Sequence, residues 1–387
     1  MNKALDVKTA SVVIIGGGIS GVSIAYNLAK KGVKDVVVIE RDYLTSGSTG
    51  RCGAGVRMQW GTEMNCQYAK YSIDFYEKAN EELEYEYDIE FKQGGYLIVA
   101  STEKEEVQFR KNHELHKRLG IPSKMLTPKE AKEVIPYMDE TKITCATFCP
   151  KDGHLNPFHG TQAYANAAER LGAKILKYTT VTGIRVEKGK VTGVETDKGF
   201  ISTPIVVNAA GGYSKAIADM AGVDIPLYPE RHQILVTEPV APLQGPMYMS
   251  FSLNIYCQQS PHGSFIMGRG DANEPKDFNT KSSWNFMEEM ARTCCDLLPL
   301  LKKLSVVRQW SGLYELTPDR QPLYGPVKEV EGFYLACGFS GHGFMFGPAT
   351  GLVISESILG EPTTLPIDIL DKDRFARGEE VWEPSVV

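Results

Sequence analysis

Two hydrophobic rhythms alternate along this chain. Short runs of mostly β-branched apolar residues, such as 11–15 and 36–39, lead into stretches where apolar side chains recur every three to four positions. Such short continuous runs predict strands buried on both faces, as in a parallel sheet, and the longer rhythm predicts the helices that cover them. The first unit is a strand over 11–15, glycines at 16, 17, 18 and 21, a helix, and a second strand that ends at Glu40. Two later stretches repeat the design. A strand from 205 leads to Gly211 and Gly212, and a strand over 333–337 leads to Gly338, Gly341 and Gly343, followed by an apolar helix over 347–359. Between these lie predicted helices over 62–87, 103–119, 128–134 and 161–171. Strands are predicted over 95–100 and 174–178, with a hairpin of 183–187 and 191–196 about Gly189. From 225 to 313 the pattern is strand-rich, with strands over 233–237, 250–257 and 264–268 and a helix over 284–301. The fold class expected is α/β plus α+β.

The first unit carries chemistry. Gly16 permits a tight turn, Gly18 lets the backbone approach a pyrophosphate, and Gly21 allows the helix to pack closely on the strand. The N–H groups at the helix start, about Ile19 and Ser20, offer the positive dipole end to phosphates. Glu40 ends the second strand, where a carboxylate accepts hydrogen bonds from ribose hydroxyls and repels a 2′-phosphate. This spacing predicts a dinucleotide cradle, against the plainer alternative of an ordinary strand-to-helix turn, and does not choose between FAD and NAD. The Gly/Ser/Thr-rich loop 45–55 is too polar for core and too long for a simple turn, which suits wrapping a ligand. The turns at 211–212 and 338–343 point at the same ligand.

Length and composition narrow the classes. A chain of 387 residues is too long for one small core and suggests two domains. With 42% hydrophobic and 23% charged residues, a formal net charge of -6 and no basic stripe, nucleic acid is not an expected partner. No apolar run approaches the roughly 18 residues that span a bilayer, and residues 1–10 lack the apolar core of a secretion signal, so a cytoplasmic protein is expected. The eight scattered cysteines then read as reduced thiols. Cys145 and Cys149 have no second cysteine pair or histidine pair to complete a ligand set, and no metal site is expected.

Together, residues 16–21 with Glu40 and Arg41, the Ser48 and Thr49 loop, 207–211, 314–319 and 338–344 resemble the FAD-dependent amine oxidoreductases of the D-amino-acid oxidase, sarcosine oxidase and glycine oxidase family. Within it, 49–57 and 231–238 look most like the β subunits of multi-subunit sarcosine oxidases and L-proline dehydrogenases. The resemblance implies a glutathione-reductase-like FAD domain made of 1–90, 150–224 and 314–387. An antiparallel substrate sheet, from 91–149 and 225–313, would lie over the flavin. Glu40 would hold the adenosine ribose, Gly16, Gly18 and Gly21 the pyrophosphate, and Ser48 and Thr49 the loop behind it. Arg41, Ala54, Gly55, Val181, Ala210 and Gly211 complete the expected contacts, with Gly341, His342, Gly343 and Phe344 at the isoalloxazine. His342 would either touch flavin or substrate or cap the next helix. The implied reaction is oxidation of a C–N bond by hydride transfer from an amine's α carbon to flavin N5. Arg51 and Arg57 are candidates for a substrate carboxylate, because a guanidinium binds it bidentately and stays charged when buried. The alternative for each is a loop arginine or a phosphate contact. Tyr256 matches a family tyrosine over the flavin, with core packing as its alternative.

Departures from the family pattern also inform. Gly312 stands where some members carry a flavin-linking cysteine, so FAD is expected to be non-covalent. Ile266 and Met345 stand where oxygen-using members carry lysines, which favours a dehydrogenase. A histidine that links FMN in multi-subunit sarcosine oxidase falls at Pro157, near His159, and the resemblance leaves room for an FMN at a subunit interface. The leading expectation is a FAD-dependent dehydrogenase of a small secondary amino acid, working with an electron-accepting partner subunit. The alternatives are a free-standing peroxide-forming oxidase of glycine, sarcosine or a D-amino acid, and a flavin-holding subunit whose chemistry lies in a partner chain.

Overall fold

The computed structural model describes residues 5–271 and 273–385. The β-branched runs form a six-stranded sheet in the order Leu323–Pro326, Phe333–Cys337, Val206–Asn208, Val12–Ile15, Val36–Ile39, Lys174–Leu176. All neighbours are parallel except the first pair. Because side chains alternate across a strand, successive residues serve two different cores. Val12, Ile14, Val36 and Val38 pack under the helices Ile19–Lys30, Pro157–Arg170 and Gly347–Leu359. Val13, Ile15, Val37 and Ile39 face the three-stranded antiparallel sheet of Val181–Glu187, Lys190–Thr196 and Gly199–Ser202, with helix Ser214–Met220 beside it. A strand covered on both faces has no polar side to show, which explains the unbroken apolar runs.

The second sheet has eight strands, in the order Val306–Leu316, Tyr228–Pro239, Ser264–Arg269, Ile255–Gln259, Met247–Ser250, Tyr96–Ala100, Cys145–Cys149, Lys124–Leu126. It is antiparallel but for one junction, Met247–Ser250 beside Tyr96–Ala100, where the two sequence segments of this sheet join in parallel. Leu97, Tyr248, Cys257 and Phe265 turn to the helices Pro128–Val134 and Trp284–Leu297. Tyr96, Met247, Met249, Tyr256 and Ile234 turn to the opposite face, toward the first sheet. The chain crosses between the sheets several times, and the boundary expected at 313/314 cuts through the strand Val306–Leu316, which belongs whole to the second sheet.

Four expected elements differ. The strand over 250–257 is a hairpin, broken at 251–254 where Asn254 takes φ +52. The helix over 284–301 stops at Leu297, because Pro299 disfavours helical geometry at Leu298 before it, and resumes as a 3-10 turn over Pro299–Lys303. The stretch 62–87 is a helix Glu63–Tyr76 and a single turn Ala79–Glu82. The strand from Lys174 ends at Leu176, ahead of Tyr178 with φ +54. Among the described residues no helix is long and apolar enough to cross a membrane, no cluster of three metal-ligating side chains is present, and all eight cysteines are free.

Candidate functional site

A cavity of about 450 Å³ opens between the carboxyl ends of the parallel strands and the Tyr96–Tyr256 face of the second sheet. Parallel pairing of Val12–Ile15, Val206–Asn208 and Phe333–Cys337 brings all three glycine turns to this edge. At the first turn Gly16 has φ +118, and a Cβ there would lie 2.2 Å from Ala209 O. A Cβ on Gly21 would lie 1.9 Å from Gly16 O, and one on Gly18 would lie 2.9 Å from Thr49 Oγ1. Ile19 N donates to that Thr49 hydroxyl at 3.2 Å, and Ser20 follows on the cavity wall. The turn is therefore open only because its glycines are bare, which fits a cradle for a phosphate chain.

Glu40 holds the rim. Its Oε2 accepts from Gly17 N at 2.8 Å and its Oε1 from Asp42 N at 2.9 Å, leaving acceptor capacity on the cavity side. Arg41 stacks on Tyr213, 3.7 Å from the ring centre, at the same end as Val181, Ala210 and Gly211. The loop 45–55, with Ala54 and Gly55, lines the middle and is tied to the second sheet. Ser48 Oγ donates to Leu313 O at 2.6 Å, and Arg51 donates to Ser46 O at 3.1 Å and Ser311 O at 2.9 Å. At the third turn Gly341 has φ +96, and Gly343 and Phe344 follow it on the wall. His342 lies edge-on to Trp60 at 5.1 Å, and burial pushes its imidazole down to about 3.

The far end is apolar and aromatic. Arg57, only 3% exposed, donates to Gln59 O at 2.6 Å and Ser385 O at 2.5 Å, and lies 3.7 Å over the Trp60 ring. Opposite it, the His232 ring lies parallel to Tyr314 at 4.2 Å and to Tyr256 at 5.8 Å. Burial pushes the phenols of Tyr96, Tyr256 and Tyr314 above their ordinary range, so they stay protonated donors. Two buried acids are pushed up to about 7: Asp152, which accepts from Met58 N and Gln59 Nε2, and Glu315, whose carboxyl faces the N–H groups of Gly338 and Phe339.

Comparison with known proteins follows the same lines. The model of the family described as FAD dependent oxidoreductase matches residues 11–357. This chain belongs to that family. The FAD-dependent oxidoreductase is 28% identical to sarcosine oxidase subunit beta of Rhodobacter capsulatus, over 97% of this chain and 91% of that one. It is 31% identical to mitochondrial sarcosine dehydrogenase of Homo sapiens over 92% of this chain, which spans 40% of that protein's length. Among solved structures, L-proline dehydrogenase from P. horikoshii is 39% identical with TM-score 0.92, covering 97% of this chain and 100% of that one.

Of the site residues expected from the sequence, all but Gly21 line this one cavity, and Gly21 packs behind the first turn against Gly16 O. Two open alternatives narrow. Arg51 braces the loop against the strand Val306–Leu316 with two of its donor groups, which is the loop-arginine alternative. His342 does not cap the helix Gly347–Leu359, whose N-terminus has no side-chain cap. His232, Tyr314, Trp60 and Tyr96 were not picked out as site residues. For His232 and Tyr314 a signal existed: they lie in the segments 231–238 and 314–319 that carry the family resemblance, and the two strands pair antiparallel. Ile266 is not on the cavity wall but packs in the cluster of Ile98, Ile234 and Tyr256, whereas Met345 lines the cavity.

Acid should empty the site. His116, His154 and His232, pushed down to about 4 by burial, and His342, pushed to about 3, stay neutral in the fold where the unfolded chain protonates near 6.5. The unfolded state then binds more protons below pH 6.5, so these groups withdraw stability as pH falls toward 4. Asp152 and Glu315 act in the opposite sense over a similar range, but they are two against four. The oxidoreductase is expected to release its FAD between about pH 6 and pH 4, read as a rise in free-flavin fluorescence. Flavin that stays with the acid-precipitated protein would instead demonstrate a covalent link; Cys52 is the cysteine on the cavity wall, its thiol pushed up to about 12.

Proposed function

We propose that this FAD-dependent oxidoreductase dehydrogenates the C–N bond of a small secondary amino acid of the proline, hydroxyproline or sarcosine type, as one subunit of a complex. The observation that carries the reading is Arg57, a buried guanidinium whose partners among the described residues are two backbone carbonyls and the ring faces of Trp60 and Phe251. A buried cation without an ion-pair partner is costly, and a substrate carboxylate would offset that cost. Beside it Trp60, Tyr96, Met247 and Met249 form a wall that suits a small ring or methyl group and excludes water.

In this reading Gly16, Gly18, Gly21, Glu40, Thr49, Val181 and Gly211 hold the dinucleotide, and the 338–344 turn holds the ring system. Bound FAD supplies the acceptor for a hydride leaving the carbon next to nitrogen. Arg57 fixes the carboxylate, and the protonated Tyr256, stacked on the neutral His232 and lying over Gly268, is a hydroxyl donor on the same cavity wall. Aromatic packing on Arg57 and His342 keeps the substrate end dry, so an amine bound unprotonated needs no strong base. The names of the relatives, sarcosine oxidase subunit beta and L-proline dehydrogenase, support the substrate class, and the first supports a subunit role. Anaerobic addition of single amino acids tests the reading: proline, hydroxyproline or sarcosine should bleach the flavin, and bleaching by no amino acid overturns it. Gentle isolation from the native source should yield a co-eluting polypeptide; a fully active homomer with a physiological acceptor would refute the subunit role.

Dehydrogenase rather than oxidase behaviour is favoured by the neutral Met345 on the cavity wall. A methionine at this position offers no charge to stabilise developing oxygen anion, and in this reading the Arg57 cation is already met by the substrate carboxylate. Substrate-reduced protein should reoxidise slowly in air, and Met345→Lys should speed this by about tenfold or more in stopped flow. Reoxidation of the unaltered protein at oxidase rates would sink the dehydrogenase assignment.

A further inference from the structure

We propose that Glu383 is a positioning residue for Arg57, holding the guanidinium in the pose that receives the substrate carboxylate. The inference rests on the reading of Arg57 given above. A long, flexible side chain keeps one buried pose only when its donors are met by fixed acceptors. Of the two carbonyls that meet Arg57, Gln59 O is local, and Ser385 O comes from the opposite end of the sequence.

Glu383 places that second carbonyl. Its Oε1 accepts from Ser385 N and Gly61 N, both at 2.8 Å, and its Oε2 accepts from Thr62 N at 3.0 Å, Thr62 Oγ1 at 2.8 Å and Asn65 Nδ2 at 3.0 Å. Five donors thus converge on one carboxylate at the start of the helix Glu63–Tyr76, where the helix dipole also favours a negative charge. Gly61 lets the segment 382–385 come close: a Cβ there would lie 2.3 Å from Pro384 Cγ. From the other side Asn112 Nδ2 donates to Ser385 Oγ at 3.0 Å. The local half of the Arg57 fork is braced independently, by Asp152 on Met58 N and Gln59 Nε2 and by His116 on Trp60 O. Removing the Glu383 charge therefore frees one arm of the guanidinium while leaving the other, and the glycine cradle, in place.

The test is a titration of the FAD-loaded protein with pyrrole-2-carboxylate and with pyrrole-2-carboxamide, read from the flavin absorption shift. In Glu383→Gln the new amide nitrogen faces N–H donors, and the dissociation constant of the carboxylate should rise about tenfold with that of the carboxamide unchanged. FAD content should stay as in the unaltered protein. Asn112→Ala, which loosens Ser385 from farther away, should raise the carboxylate constant about threefold, and it decides the matter if Glu383→Gln does not fold. Equal weakening of carboxylate and carboxamide would mean a merely structural role and overturn the proposal. If Arg57→Lys weakens the carboxylate but neither of the other variants does, the proposal fails and the reading of Arg57 stands. If Arg57→Lys leaves the carboxylate's affinity unchanged, or the unaltered protein shows no preference for the carboxylate over the carboxamide, both fail.

Discussion

Replacing Arg57 by methionine is expected to raise the KM of the amino-acid substrate about 30- to 1000-fold with FAD content unchanged. Methionine keeps much of the side chain's bulk against Trp60 but removes the buried cation. Deleting one partner of a buried, hydrogen-bonded charge pair costs about 2–4 kcal/mol, which sets that range. Arg57→Lys should fall between, because an ammonium keeps charge but cannot fill Gln59 O, Ser385 O and a carboxylate with one planar fork. The signature is a loss in KM more than in kcat, since the carboxylate is held alike before and during reaction. Reductive half-reaction kinetics with saturation at unchanged substrate concentration in both variants would place the carboxylate elsewhere on the cavity wall.

The second large effect is expected at Gly21. A Cβ there would lie 1.9 Å from Gly16 O, a backbone atom that cannot swing aside, so Gly21→Val must push the helix Ile19–Lys30 off the strand Val12–Ile15. Overpacking of this kind costs about 1–3 kcal/mol of stability and moves the helix N-terminus that faces the phosphates. The variant should purify nearly colourless, with flavin at less than about a tenth of the unaltered stoichiometry. Gly245→Ala is the control, because a Cβ there meets nothing within 4 Å. Full flavin occupancy in Gly21→Val, measured by absorbance after desalting, would remove the first glycine turn from the cofactor site.

Much of the fold was legible because its determinants are local. The apolar runs at 12–15 and 36–39 and the helical rhythm between them reflect burial that acts residue by residue, and they recur in the structure within a residue or so. The bare glycines announce the turns because sterics at Gly16 and Gly21 admit no side chain. Where expected elements failed, the cause was also local but of low contrast: a run from 250 to 257 looks continuous, and only the backbone turn at Asn254 reveals two strands.

By itself, then, the chain's sequence determined three strand–glycine–helix units, the dinucleotide cradle and a short candidate set of two arginines, one tyrosine and one histidine. Only the tertiary structure decided which of them act together. Arg51 and Arg57 lie six positions apart on one segment and look alike in sequence; one is spent bracing Ser311 O, while the other is buried beside Trp60 and held by Ser385 O. His232, Tyr314, Tyr96 and Glu383 are ordinary residues of strands and an irregular segment until the chain brings them to one cavity or to the arginine beside it. Periodicity and steric rules operate over a few neighbouring residues, whereas desolvation, stacking and the convergence of donors on one carboxylate depend on chain paths hundreds of residues long.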